Sequence, residues 1–123
     1  MLTLAIHWGG QVVEFDCRRR TPRYRLAVDI EVTDIQSDVQ IKGRTNTLSL
    51  FGCGVDAGQL LPQGTRVRIK LCHKGAEVKA LARIVYSNSD LGMGLAFTIV
   101  ERQDAGVLDW WMTEFMSISV ENP

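Results

Sequence analysis

The sequence has little with which to build a metal or redox centre. Its three cysteines, Cys17, Cys53 and Cys72, are widely spaced and odd in number, and only His7 and His73 could join them as soft ligands. Zinc sites announce themselves by closely spaced ligand pairs, so neither a metal site nor a disulfide framework is expected. Reduced thiols of a cytosolic protein are the default. Surplus charge is missing too: 14 Lys+Arg balance 14 Asp+Glu, and the isoelectric point is near 6.7. That excludes a generally basic protein coating nucleic acid, so any anion binding must be confined to one patch. No apolar run approaches the ~20 residues needed to span a bilayer. The opening MLTLAIHWGG lacks the basic start and small-residue cleavage site of a signal peptide. A cytoplasmic protein without membrane contact is expected.

Catalytic constellations are equally scarce. Ser49 has no evident histidine partner in the sequence. Cys72 and His73 are adjacent in an extended pattern, so their side chains should point to opposite faces. They read as one buried small apolar residue and one exposed polar one. The glycines of GMGLAF (Gly92 and Gly94) are followed by no helix at the distance a phosphate loop needs, and read instead as close backbone approach or a bulge. The expectation is a binding protein and not an enzyme, with no cofactor.

What is present is alternation. Leu26, Val28, Ile30 and Val32 take one face of LAVDIEV; Val67, Ile69 and Leu71 take one face of RVRIKLC, with Arg66, Arg68 and Lys70 on the other. Between and after these lie VQIKGRTNTLSL, CGVDA, EVKALARIVYS and GMGLAFTIV, separated by turn residues such as Pro62-Gln63-Gly64 and Lys74-Gly75. From Glu101 the period lengthens, placing Val107, Leu108, Trp111 and Phe115 on one helical face, while Trp110 belongs to the flank of the core or to solvent. A chain of 123 residues with 46% hydrophobic residues and no repeat or low-complexity linker forms one domain. The pattern predicts a mostly β protein: six antiparallel strands in a barrel or tightly rolled sheet, then a C-terminal α-helix. Residues 1–17 form an extension, read either as a hairpin about Gly9-Gly10 or as a loosely attached arm; residues 18–116 form the domain and 117–123 a frayed tail.

Two segments remain unabsorbed by this fold. CRRRTPRYRL concentrates five arginines in positions 18–25 of a neutral chain, and TLSLFGCG ends a strand with small polar residues and a glycine. Guanidinium groups suit bidentate contact with phosphate and with the guanine O6/N7 edge. Together the segments resemble the PilZ domain family, bacterial receptors for cyclic di-GMP marked by RxxxR and then [D/N]xSxxG. Arg19 to Arg23 fits the first motif, Thr47 to Gly52 fits the second except at its first position, and GMGLAF resembles the family's glycine-rich last core strand. The resemblance spans about residues 18–116 and implies a six-stranded PilZ-like barrel. It implies Arg19 and Arg23 on the ligand's phosphates and guanine edges, Ser49 hydrogen-bonding from the strand end, and Gly52 allowing the turn that opens the pocket. Arg18, just before the motif, is the arginine that in this family goes with a stacked ligand dimer, and so is a third contact. The basic arm is expected to close over the ligand and change a surface read by a downstream protein.

Thr47 is the departure, because the family has Asp or Asn there. A shorter hydroxyl in place of an acceptor of guanine N–H groups costs on the order of 1–3 kcal/mol, roughly a five- to two-hundred-fold weakening. Asn46 does not substitute on the sequence pattern alone, since one residue along a strand faces the other way. The alternative is therefore a degenerate barrel without the ligand, acting as a protein-interaction module. Nucleic-acid binding through Arg66, Arg68 and Lys70 is not expected, since no stacking aromatics share that face.

Overall fold

The computed structural model describes the backbone of residues 3–8, 11–16 and 24–121, and the side chains of residues 24–114. Period-two alternation gives six strands: β3 (Asp29–Asp34), β4 (Gln40–Leu48), β5 (Gly52–Ala57), β6 (Arg66–His73), β7 (Ala76–Asn88) and β8 (Gly92–Val100). They close into an antiparallel barrel in the order β3-β4-β5-β8-β7-β6, with β3 and β6 sealing the ring. Ahead of them, β1 (Thr3–Trp8) and β2 (Gln11–Asp16) pair as a separate two-stranded hairpin, with Trp8 opposite Gln11 and β1 close to β8.

The inward residues meet in one core. Ile30, Val32, Val67, Ile69, Leu71 and Phe97 are buried as their alternation predicts, and helix α1 (Arg102–Glu121) adds Ala105, Leu108, Trp111 and Met112 to the same cluster. Asp104, in the first turn of α1, accepts a hydrogen bond from the Lys79 backbone N–H at 3.0 Å, fixing the helix start against β7. Lys74 Nζ reaches Glu114 at 3.4 Å further along. Residues 117–121, expected as a frayed tail, continue the helix, because no glycine or proline stops it before Pro123. Trp110 is exposed and Trp111 buried.

Two expectations are corrected by the register. Leu71 faces the core, so Cys72 lies on the outer side near Glu77 Oε2 and is not the buried member of the pair. His73 turns instead toward the helix, its ring edge-on to Trp111 with centroids 5.4 Å apart. Burial, with Lys74 close by, holds the His73 imidazole below its ordinary pKa. Cys53 is the enclosed thiol, and burial pushes its pKa up to about 12.

The entry to the barrel is held by a side chain. Residues 26–28 precede β3, and Thr45 ties them down: its hydroxyl accepts from Val28 N–H at 2.9 Å and donates to the Leu26 carbonyl at 2.5 Å. Thr45 is buried, so its loss would leave a buried N–H and C=O unsatisfied. Thr45→Val is accordingly expected to lower stability by about 1–3 kcal/mol, read as a lower urea midpoint with an unchanged slope.

Candidate functional site: a glycine-floored groove on the barrel wall

The TLSLFG segment runs off the end of β4 into the loop before β5. The Ser49 hydroxyl accepts from the backbone N–H groups of Phe51 and Gly52, both at 3.2 Å, and lies 3.2 Å from the Gly52 carbonyl, to which it donates. Its chemistry is thus directed into the loop, shaping the strand end. Gly52 has no left-handed backbone; a Cβ there would collide with the Leu95 carbonyl of β8, so the glycine serves close approach of two strands.

The polar surface lies one residue pair away. Cys53 and Val55 face the core, so Gly54 faces outward, and it pairs with Thr47 on one side and Gly94 on the other. Gly94 in turn pairs with Tyr86. A Cβ on Gly94 would collide with the Tyr86 ring, so the aromatic lies across the strand in the space the glycine leaves. The two middle strands of this row, β5 and β8, contribute glycines that are buried beneath side chains of the flanking strands, Asn46 and Thr47 over Gly54 and Tyr86 over Gly94. Each flanking strand carries one extra residue: the register slips between Thr45 and Thr47 on β4 and between Ile84 and Tyr86 on β7. Such bulges re-aim side chains beside a site. The result is a small groove of about 30 Å³, lined by Thr47, Gly54, Val85, Tyr86 and Gly94 among others.

Thr47 sits on the wall of this groove, its Oγ1 accepting the Gly54 N–H at 3.1 Å. Asn46 is the extra residue of the β4 bulge; its Nδ2 donates to Asp56 Oδ1 at 3.0 Å. Tyr86, which sequence reasoning passed over, forms the opposite wall and is 39% exposed, leaving ring surface for a planar group to stack on. The signal that could have found it is an outward aromatic opposite an outward glycine, visible only once the strand register is known.

Arg18, Arg19 and Arg23 lie outside the described residues. Their attachment to the barrel does not: Tyr24, the next residue after Arg23, exchanges two backbone hydrogen bonds with Leu48, at 3.0 and 2.9 Å, between Thr47 and Ser49 in the chain. The residue that follows the first motif is therefore tethered beside the start of the second.

A larger cleft of about 550 Å³ lies between β3, β6, β7 and the start of α1. Its charges satisfy one another: Lys70 Nζ stands 3.5 Å from Glu31 and 3.8 Å from Glu77, and Arg68 lies 3.7 Å from Asp38. Two of the three cations of the basic row on β6, Arg68 and Lys70, are thus paired with carboxylates of β3, β7 and the β3–β4 turn, and the row shares no residue with the two motifs. Among the described residues no cluster of three or more His, Cys, Asp or Glu could hold a metal, and no helix is long and apolar enough to cross a membrane.

Comparison with known proteins agrees with this architecture. The PilZ domain of CeSA from a cellulose-synthesizing bacterium superposes with a TM-score of 0.62 at 22% identity, covering 77% of this chain and 98% of its own. The PilZ domain of YcgR from Escherichia coli, solved with c-di-GMP, gives 0.63 at 15% identity over 86% of this chain and 99% of its own. The Bacillus subtilis inhibitor of motility MotI/DgrA gives 0.63 at 14% identity, covering 86% of this chain and 55% of its own. No curated protein matches the chain at a comparable level. The model of the PilZ domain matches residues 18–114, most of the chain. A closed six-stranded barrel, its C-terminal helix and that match carry one conclusion: this chain belongs to the PilZ domain family.

Proposed function

We propose that the protein is a cyclic di-GMP receptor. Its ligand lies against the outer face of the barrel around Thr47 and Tyr86 and is held from the other side by Arg19 and Arg23, with Arg18 a third contact. The observation that carries this reading is the Tyr24–Leu48 pairing, which tethers the arginine motif beside the strand end of the TLSLFG motif. Two chemistries then meet on one nucleotide. Guanidinium forks suit its phosphates, and the exposed face of the Tyr86 ring suits its flat base. A ligand touching both the arm and the barrel wall links the two, and a downstream protein would read the altered surface. The PilZ domain of YcgR solved with c-di-GMP supports the choice of ligand.

The test is isothermal titration of the purified protein with cyclic di-GMP. Saturable heat with Kd below about 100 μM, a binding free energy near −5.5 kcal/mol, is the expected result; a flat titration at that concentration rejects the receptor reading.

One observation favours a second reading, a PilZ barrel that has lost its ligand and serves as a protein-interaction module. The hydroxyls of Thr47 and Ser49 are both engaged with the protein's own backbone. Tight binding by the wild type would end this alternative. Exposed Trp110 is the side chain it would use, and Trp110→Ala would then weaken capture of the partner without touching nucleotide affinity.

A further inference from the structure

In a regular strand, Asn46 and Thr47 would face opposite sides of the sheet. Here they do not. Thr45 pairs with Val55 and Thr47 with Gly54, consecutive positions on β5 but two apart on β4, so Asn46 is the extra residue of a bulge. Both side chains come down over the same glycine: a Cβ on Gly54 would collide with Asn46 Oδ1 and stand 2.9 Å from Thr47 Oγ1.

The two residues differ in what they have left to offer. Thr47 Oγ1 already accepts the Gly54 N–H at 3.1 Å and lies down on the strand. The Asn46 amide is oriented by chemistry: the Asp56 carboxylate can only accept, so the NH2 faces Asp56 Oδ1 at 3.0 Å and the carbonyl oxygen lies over Gly54, one of the residues that line the groove. That oxygen has two lone pairs and is backed by a carboxylate that polarises the amide.

We infer that Asn46, held by Asp56, is the specificity-determining residue of this groove: its Oδ1 accepts from the N–H donors of a guanine-type base edge. The assignment rests on the nucleotide-receptor reading above. Guanine presents N1–H and N2–H2 side by side on that edge, whereas adenine presents an acceptor at N1 and no amine at C2, so an acceptor placed here attracts one base and repels the other.

The experiment titrates wild type, Asn46→Ala, Thr47→Val, Asn46→Asp and the exchange variant Asn46→Asp/Asp56→Asn with cyclic di-GMP and with cyclic di-AMP. Thermal melts verify that each variant is folded. Asn46→Ala should weaken cyclic di-GMP binding roughly tenfold and leave cyclic di-AMP nearly unchanged, lowering the guanine preference by the same factor. Thr47→Val should keep that preference. Asn46→Asp alone sets two carboxylates face to face and should lose affinity, and the exchange variant, which restores one donor opposite one acceptor, should recover it. Wild-type binding with a guanine preference untouched by Asn46→Ala, or abolished equally by Thr47→Val, overturns the assignment alone. Wild type that binds neither nucleotide overturns the receptor reading and the assignment with it.

Discussion

Trp111→Ala should destabilise the protein by about 3–5 kcal/mol, a large share of the 5–15 kcal/mol that a domain of this kind has in total. Trp111 is among the largest fully buried side chains, and its ring closes over His73 between the helix and the end of β6. Alanine would leave a void at the seam between α1 and the barrel, where β strands on one side and a helix on the other cannot both move in to fill it. Urea unfolding followed by circular dichroism measures the loss. A cost below about 1 kcal/mol would mean that the helix is not part of the core. Trp111→Phe separates packing from polarity. The buried indole Nε1 has no hydrogen-bond partner among the described residues, so phenylalanine deletes a donor that they leave unsatisfied while keeping a ring. It should cost clearly less than alanine. A second readout follows from His73, whose imidazole burial holds below its ordinary pKa. In Trp111→Ala that constraint loosens, and the His73 titration followed by NMR should move up toward its ordinary value.

Arg23→Ala should weaken cyclic di-GMP binding roughly 10- to 150-fold, the loss of a charge-assisted contact worth about 1.5–3 kcal/mol. The argument is one of attachment. Tyr24 is hydrogen-bonded through both its N–H and its C=O to Leu48, the neighbour in the chain of Thr47 on the groove wall. On the receptor reading an arginine one residue from that anchor contacts a ligand phosphate, to which it offers two parallel donors. Arg25, exposed and outside the motif, is the control, since it carries similar charge from the same short stretch. If Arg25→Ala costs as much as Arg23→Ala, the run acts as a diffuse basic patch, and its affinity should then fall steeply with salt.

The barrel was legible in the sequence because burial on a closed sheet is written in a period of two. Val67, Ile69 and Leu71 could be placed before any register was known, and so could the lengthened period that makes α1. The groove was not legible, for a specific reason. A bulge adds a residue without changing composition or breaking the apolar pattern by much, so the slip at Asn46 leaves no mark in RTNTLSL. Counting alternate positions then sends Asn46 to the wrong face. Tyr86 escaped for a related reason: it matters through Gly94, its neighbour across a strand boundary, and pairing across strands is a property of the assembled sheet. The motif residues Ser49 and Gly52 could be located from sequence alone, yet their bonds into the loop and their fit against Leu95 required coordinates.

The paired glycines carry a consequence for how such a receptor diverges. Gly54 and Gly94 turn no side chain toward the interior, and the walls of the groove stand on strand positions whose side chains point away from it. On the receptor reading, recognition is then written on the outside of a shell whose inside is already complete. Changes at Asn46, Thr47 or Tyr86 would on that reading retune ligand preference without touching the apolar core, whereas Gly54 and Gly94 are held by the side chains packed over them.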